Sequence, residues 1–447
     1  MHLILAALAL ATAPNHQLAM SAHHLCSGVF VVGRDLARSP EVVIDHDIKR
    51  FDFFQWGDDF EYAVDMDKKT ARVWVASGPS WTAQYNDDQG CTILPQGAND
   101  VFFEPMKLLS KLPDAEKQAW PTGDAGAYAL APEIDDALDW AMAQKTQYTR
   151  ALVVVHKGKI IGERYAEGFS KNTPQISWSQ GKSITSALIG ILVHQGELSV
   201  DDRAPVSEWH GEGDPRRAIQ VKHLLRMSSG LDFKNYGIDN PNSWTKENEH
   251  FRIYHDAINV FEHAVDQPLE IPPDSQFRYR NSDPLTLGRI IRQIVEARGD
   301  SYLAFPREAL FDKIGARDYV LETDAYGNFI MTGYDYGSAM DWTRFGLLHL
   351  WDGVWEGERL LPEDWIDFIT EPAPGDPSKG YGGLFWLNRG GALDRLPEDA
   401  YWASGFMGQR TTIIPSRDMV VVRLGPSPEG FSDYINEVIG RVLEAVP

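Results

Sequence analysis

The sequence predicts an α+β fold: one antiparallel β-sheet flanked by terminal helices, a mostly helical subdomain inserted into it, and a small β-rich region in front. Three observations carry this reading. A helix-then-hairpin pattern near residue 130 is mirrored by a hairpin-then-helix pattern at the C-terminal end, the stretch between them is dominated by helical spacing, and the first hundred residues alternate apolar and polar in short runs. A chain of 447 residues has room for two or three structural units. Its 43 % hydrophobic and 24 % charged content is that of a globular protein.

The chain begins MHLILAALALATAP, with an apolar run from Leu3 to Ala13 that has the size of a signal-peptide core and is too short to span a bilayer. Residues 1–22 are therefore expected to be a leader that sends the protein to the periplasm or outside the cell. No later stretch reaches eighteen consecutive apolar residues, so stable membrane insertion is not expected. Residues 23–120 form the β-rich region, with alternating runs such as Ala71 to Val75 and Trp81 to Tyr85 between Cys26 and Leu94. Cys26 and Cys91, the chain's two cysteines, flank it and are expected to form a disulfide; two cysteines are too few for a Cys-rich metal site. A proline-bearing loop from Pro95 to Asp124 puts the next boundary near residue 120.

Residues 121–447 make the second unit. Ile134, Leu138 and Met142 recur at helical spacing between Pro132 and Gln144, with proline at the helix start where its missing N–H costs nothing. A hairpin follows, Ala151 to His156 and Ile160 to Tyr165 around Lys157-Gly158-Lys159. Near the other end, Thr411 to Ile414 and Met419 to Leu424 flank Pro415-Ser416-Arg417-Asp418, and a helix runs through Ile435, Val438, Ile439 and Val442. The sheet is thus expected from residues 121–171 and 342–447, and the helical part from 172–341, with helices over Ile184 to His194, Leu285 to Ala297 and Tyr302 to Leu310.

Lys and Arg total 42 against 64 Asp and Glu, a formal charge of −22. Phosphate backbones repel such a polyanion, so nucleic acid is not expected as a partner.

The chemistry concentrates at three places. In QISWSQGKSITSALIGILVHQGEL (Gln175 to Leu198), the apolar positions fall on one helical face and the helix begins near Ser179. Ser179 and Lys182 are then neighbours on its first turn. A serine hydroxyl is a weak nucleophile until a base takes its proton, and a lysine desolvated against a helix can be that base. Ser243 to Lys246 shares the spacing but has no apolar helix behind it. Tyr279-Arg280-Asn281 lies about 100 residues on, before the helix at Leu285; the tyrosine could pass a proton to a leaving group and Asn281 could position a substrate. Tyr326 to Asn328 and Tyr434 to Asn436 share that spacing without the loop-then-helix setting. The third place is Trp402 to Gln409, WASGFMGQ, at the start of the C-terminal hairpin. Its glycines admit a ligand close to the backbone, so that Ser404 and Gly405 would position substrate and the N–H groups of Ser179 and Phe406 would hold an oxyanion.

In this order the three resemble the serine β-lactamase and penicillin-binding-protein-like superfamily, in particular its class C-related branch of esterases, D-aminopeptidases and 6-aminohexanoate-oligomer hydrolases, over about residues 130 to 445. Its Ser-x-x-Lys resembles Ser179 to Lys182, its Tyr-x-Asn resembles Tyr279 to Asn281, and its third motif resembles Ala403-Ser404-Gly405. HLLRMSSGLDF (His223 to Phe233), MDWTRFGLLHLWDGVW (Met340 to Trp355) and SGFMGQRTTIIPSRDMVVVRLG (Ser404 to Gly425) are similar as well. The resemblance implies a serine hydrolase that cleaves an ester or amide of a small molecule through an acyl-Ser179 intermediate, with Lys182 and Tyr279 catalytic and no cofactor or metal. Arg280 stands where serine is usual. Ala403 stands where β-lactamases and many peptidases carry Lys or His, which takes away a cation for a substrate carboxylate; Arg410 is near enough in sequence to replace it.

Two other readings compete with this one. A metal hydrolase would draw on His250, His255 and His263 with Asp256 or Glu262, but this spacing does not put two histidines on one helical face. The other is a non-catalytic binding or scaffold protein on the same fold, against which the joint presence of serine, lysine and tyrosine argues.

Overall fold

The computed structural model describes residues 2–34, 38–50, 60–76, 78–108, 110–237 and 245–446, and side chains from His16 onward. Ser243, of the alternative Ser-x-x-Lys stretch, lies outside the described residues. The first helix, α1, spans His2–Phe30, and the N-terminal sheet follows as strands β1 (Phe60–Asp65), β2 (Thr70–Val75), β3 (Ser80–Tyr85) and β4 (Cys91–Ile93) in sequential antiparallel order. Two expectations change here. Cys26 belongs to α1 and not to a strand, and among the described residues the first strand of the β-rich region starts at Phe60. The expected leader end at residue 22 also falls inside buried structure, since Leu18, Ala19, Met20 and Ala22 are fully buried. From His16 to Val29 this helix is buried on every side, the mark of a core helix and not of a surface one.

Helix α2 (Asp135–Ala143) leads into β5 (Ala151–His156) and β6 (Lys159–Tyr165), which pair with four strands from the other end of the chain: β7 (Trp386–Leu387), β8 (Tyr401–Gly405), β9 (Gln409–Ile414) and β10 (Met419–Leu424). The order is β7-β8-β9-β10-β5-β6, antiparallel throughout, so the two ends of the domain close against each other at the β10–β5 pair. Strand periodicity sorts the valines. Leu152, Val154, Met419 and Val421 face α2 and the C-terminal helix, while Val153, Val155, Val420 and Val422 face the opposite core with Phe345.

The insertion holds α3 (Gly181–His194) and α4 (Ser282–Ala297), and leads into α5 (Ala339–Leu350); the C-terminal helix α6 is Phe431–Ala445. Ser338 and Asp341 cap α5 reciprocally. The helix expected over Tyr302 to Leu310 is displaced toward the C-terminus: it is entered through Phe305 and Pro306, where a proline suits a helix start, and continues as a π-helical turn, Arg307–Phe311, into Asp312–Ile314. A small sheet of Gln175–Ile176, Asp335–Gly337 and Val320–Leu321 lies within the helical part and fixes the approach to α3. Among the described residues no helix is long and apolar enough to cross a membrane.

Candidate active site

Cys26 and Cys91 are joined in a disulfide with Cα atoms 6.1 Å apart, which pins α1 to β4. The same α1 carries His23 and Ser27 to the buried carboxylate of Glu322, whose Oε1 accepts hydrogen bonds from Ser27 Oγ at 2.7 Å and from the Cys91 N–H at 2.8 Å. The N-terminal unit is thereby bonded into the inserted subdomain, close behind the start of α3.

That start is a 3₁₀ turn, Trp178–Gln180, preceding Gly181. Trp178 has φ +51°, a left-handed conformation uncommon for a non-glycine residue, and it turns the chain so that Ser179 faces a cleft. Lys182, one turn on and 1 % exposed, donates from Nζ to Ser179 Oγ at 3.0 Å and to the Thr332 carbonyl at 3.1 Å. Ser179 Oγ also lies 3.3 Å from that carbonyl. Burial pulls the Lys182 pKa from 10.5 down to about 7, opposed by the negative charge available on Asp335. This is the electrostatic condition a lysine base requires.

Tyr279 stands over the ammonium position, with Lys182 Nζ 5.0 Å from its ring centroid. Burial pushes its phenol up, against a hydrogen bond with Ser179 that pulls it down, so the phenol keeps its proton at neutral pH. Gly405 brings β8 against the turn before Ser179: a Cβ there would collide with the Ser177 carbonyl oxygen. Beyond it, Met407 takes φ +57° and turns the chain into β9.

These elements enclose a cavity of about 250 Å³. Of the residues singled out in the sequence, Ser179, Tyr279, Ser404, Gly405 and Phe406 line it. Trp178, His250, Phe251, Tyr254 and Trp386 complete the wall, and no spacing or motif had singled them out for this role. Asn281 is the exception among the candidate residues. It is fully buried behind the wall, where its Nδ2 donates to the His250 carbonyl at 2.9 Å and to Tyr254 Oη at 3.1 Å. It positions Tyr254 and is not among the residues that line the cavity: at the N-cap of α4 its amide is turned toward these two buried acceptors. Ala403 is fully buried and is not among the residues that line the cavity. Arg410 is also outside the wall: its guanidinium is stacked between Trp402 (4.7 Å to the ring centroid) and Phe431 (5.2 Å), on the α6 side of the sheet.

The histidines weighed as metal ligands do not come together. His250 lines the cavity, His263 packs on Phe233, and His255 joins Asp256. Among the described residues, His16, His255 and Asp256 do offer ligand atoms within 4.8 Å of one another. The two imidazoles, however, are stacked 4.0 Å apart and 7° from parallel, so their in-plane lone pairs run side by side and do not converge, and Asp256 is held by Arg252 at 2.7 Å. The trio has the geometry of a packed stack and not of a metal cage.

With the site described, its kinship can be stated. The profile of the Beta-lactamase family matches residues 134–437. A 6-aminohexanoate-dimer hydrolase of Paenarthrobacter ureafaciens is 22 % identical over 327 residues, covering 67 % of this chain and 79 % of its own. Among solved structures, a candidate 6-aminohexanoate-dimer hydrolase from Bacillus anthracis has TM-score 0.55 at 22 % identity, over 76 % of this chain and 89 % of that one. EstCE1, described as a hydrolase with promiscuous acyltransferase activity, has TM-score 0.55 at 14 % identity, over 69 % and 97 %. These structures share the fold, and residues 16–120 lie before the region the family profile covers. The chain belongs to the Beta-lactamase family.

Proposed function

We propose that the protein is a serine hydrolase cleaving an ester or amide of a small molecule through an acyl-Ser179 intermediate. The observation that carries this reading is the 3.0 Å contact between Lys182 Nζ and Ser179 Oγ, made by an amine whose pKa burial has brought to about 7. In its neutral form Lys182 takes the Ser179 proton as Oγ attacks the carbonyl carbon. The Thr332 carbonyl, within 3.1 Å of Nζ, then steadies the ammonium. The backbone N–H groups of Ser179 and Phe406, two residues of the cavity wall, hold the negative charge that develops on the carbonyl oxygen. Tyr279 gives its proton to the leaving alkoxide or amine and is reprotonated through Lys182; water then attacks the acyl-enzyme and Ser179 leaves with its proton restored. Every step uses groups of the chain and water, with no cofactor.

The wall of the cavity favours a neutral acyl group. It is largely aromatic, its His250 is kept neutral by burial and by the charge of Lys182, and Arg410 is stacked elsewhere. The names of the similar proteins, a 6-aminohexanoate-dimer hydrolase and a hydrolase with promiscuous acyltransferase activity, support hydrolysis by acyl transfer. We place the enzyme in an oxidising compartment, the periplasm or the exterior, on the strength of the Cys26–Cys91 disulfide. Hydrolysis of p-nitrophenyl esters and anilides by wild type, Ser179→Ala and Lys182→Ala tests the reading. Loss of at least about a thousandfold in both variants is expected, and wild-type rates in Ser179→Ala would overturn it.

A further inference from the structure

The N-terminal helix reaches the catalytic turn from behind. His24 packs against Trp178 with ring centroids 5.5 Å apart, and His23 stacks on Tyr334 at 3.6 Å and 15°. His23 Nε2 is also 2.5 Å from Glu322 Oε2, a close electrostatic contact out of line for a hydrogen bond. From Tyr334 the contacts run inward. Its hydroxyl donates to the Tyr254 carbonyl at 2.7 Å, and the Tyr254 hydroxyl donates at 2.7 Å to the Thr332 carbonyl, the same oxygen that receives Lys182 Nζ and lies against Ser179 Oγ. Trp178 itself touches Tyr254, Tyr334 and Phe406 at 6.0, 6.1 and 5.6 Å between centroids.

We infer that α1 is the rear wall of the active site: His23 and His24, clamped by Glu322 and the Cys26–Cys91 bond, are positioning residues that hold Tyr334 and Trp178, and through them set the Thr332 carbonyl and the strained turn that presents Ser179. This inference rests on the assignment of Ser179 as nucleophile. It gives the region before residue 120 a part in catalysis, although none of it touches the cavity. Three features of the contacts favour a positioning role over simple core filling. The path ends on one carbonyl oxygen shared by nucleophile and base. Trp178 occupies a left-handed backbone conformation that surrounding structure must enforce. Polar atoms as well as area fix the orientation of three rings in the path: His24 Nδ1 donates to the Met20 carbonyl at 2.8 Å and the hydroxyls of Tyr334 and Tyr254 donate to carbonyls, while burial keeps His24 neutral, with its pKa down to about 3, so it packs as an uncharged ring.

A positional error of about 1 Å at a nucleophile costs on the order of a hundredfold in rate while leaving ground-state binding nearly untouched. The test compares His24→Ala, His24→Phe and Tyr334→Phe in the full-length protein. It measures kcat and KM for a p-nitrophenyl ester and the rate at which a fluorophosphonate labels Ser179. His24→Ala is expected to lower kcat and the labelling rate together by about ten- to a hundredfold, with KM within about threefold of wild type. His24→Phe, which restores a ring against Trp178, should recover most of the loss. Tyr334→Phe removes one oxygen and should lower both rates at least about fivefold; it decides the matter if His24→Ala does not fold. Wild-type labelling of Ser179 in folded His24→Ala or Tyr334→Phe, or a loss confined to KM, overturns the rear-wall role alone. Label on a residue other than Ser179 in wild type overturns the nucleophile assignment and this inference with it.

Discussion

Replacing Lys182 by methionine should abolish activity and stabilise the protein, and the size of the gain should depend on pH. The folded pKa of about 7 lies three and a half units below the ordinary 10.5. At about 1.4 kcal/mol per unit, burying this amine costs on the order of 5 kcal/mol while it is charged. Methionine has a similar shape and no charge. It forfeits the hydrogen bonds to Ser179 Oγ and the Thr332 carbonyl, worth roughly 1 kcal/mol each, which leaves a net gain of about 3 kcal/mol below pH 7. In a unit of this size that corresponds to a Tm several degrees higher. The sign of the pH dependence follows from the depressed pKa. Between about pH 7 and 10.5 the unfolded chain holds a proton that the fold has released, so wild-type stability rises with pH through that window. The advantage of Lys182→Met should therefore be constant below pH 7, shrink by about 1.4 kcal/mol per unit above it, vanish at about pH 9 and reverse toward pH 10.5, where only the forfeited hydrogen bonds remain. Thermal or denaturant unfolding of both proteins at pH 6, 8 and 10 measures it, with the titrating groups remote from Lys182 cancelling in the difference. A variant less stable than wild type at pH 6, or an advantage that does not change with pH, would refute the desolvated-lysine argument.

Three further outcomes are expected. A p-nitrophenyl ester with a short neutral acyl group should surpass a cephalosporin in kcat/KM by about ten- to a hundredfold, because Ala403 offers no cation for the carboxylate and a lost charge-assisted bond is worth about 1.5 to 3 kcal/mol; efficient cephalosporin turnover that Arg410→Ala then removed would show that the stacked guanidinium swings into the site. Gly405→Ala should cost activity far more than stability, since the new methyl must push β8 away from the Ser177 carbonyl beside the nucleophile; unchanged kcat would contradict that close approach. Opening the Cys26–Cys91 bond in Cys26→Ser/Cys91→Ser frees a 65-residue loop, which the chain-entropy estimate values at up to about 4 kcal/mol, so its unfolding midpoint should fall markedly.

The sheet was legible because its signals are local. Runs of β-branched residues at Ala151 to His156 and Met419 to Leu424, each beside a short turn, name two hairpins, and the mirrored helices say which face of the sheet is covered. Ser179, Lys182, Tyr279, Ser404 and Gly405 were legible for the same reason: each belongs to a short motif at the edge of an element. Thr332, Tyr254 and Trp386 were not, because what places them in the site is tertiary. Thr332 acts through a backbone carbonyl, which no side-chain pattern reports, and Tyr254 reaches that oxygen from a loop 78 residues away in sequence. Asn281 shows the limit of the motif itself, since its order in the chain does not say whether its amide faces the cavity or the core. The hardest feature was α1. The apolar run from Leu3 to Ala13 reads as the core of a leader ending at residue 22, and nothing in the pattern marks His16 to Val29 as core. Over those residues the helix is buried on all sides and so lacks the one-sided spacing by which a surface helix is recognised.

The most direct measurement is the site of covalent modification by a fluorophosphonate, read by intact mass and peptide mapping in wild type and Ser179→Ala across pH 5 to 9. One adduct is expected, on Ser179. Its rate of formation should rise as pH passes about 7, where Lys182 loses its proton, and no adduct should form in Ser179→Ala. An adduct on another residue, or labelling that persists in Ser179→Ala at the wild-type rate, would contradict the assignment of Ser179 and Lys182 as nucleophile and base.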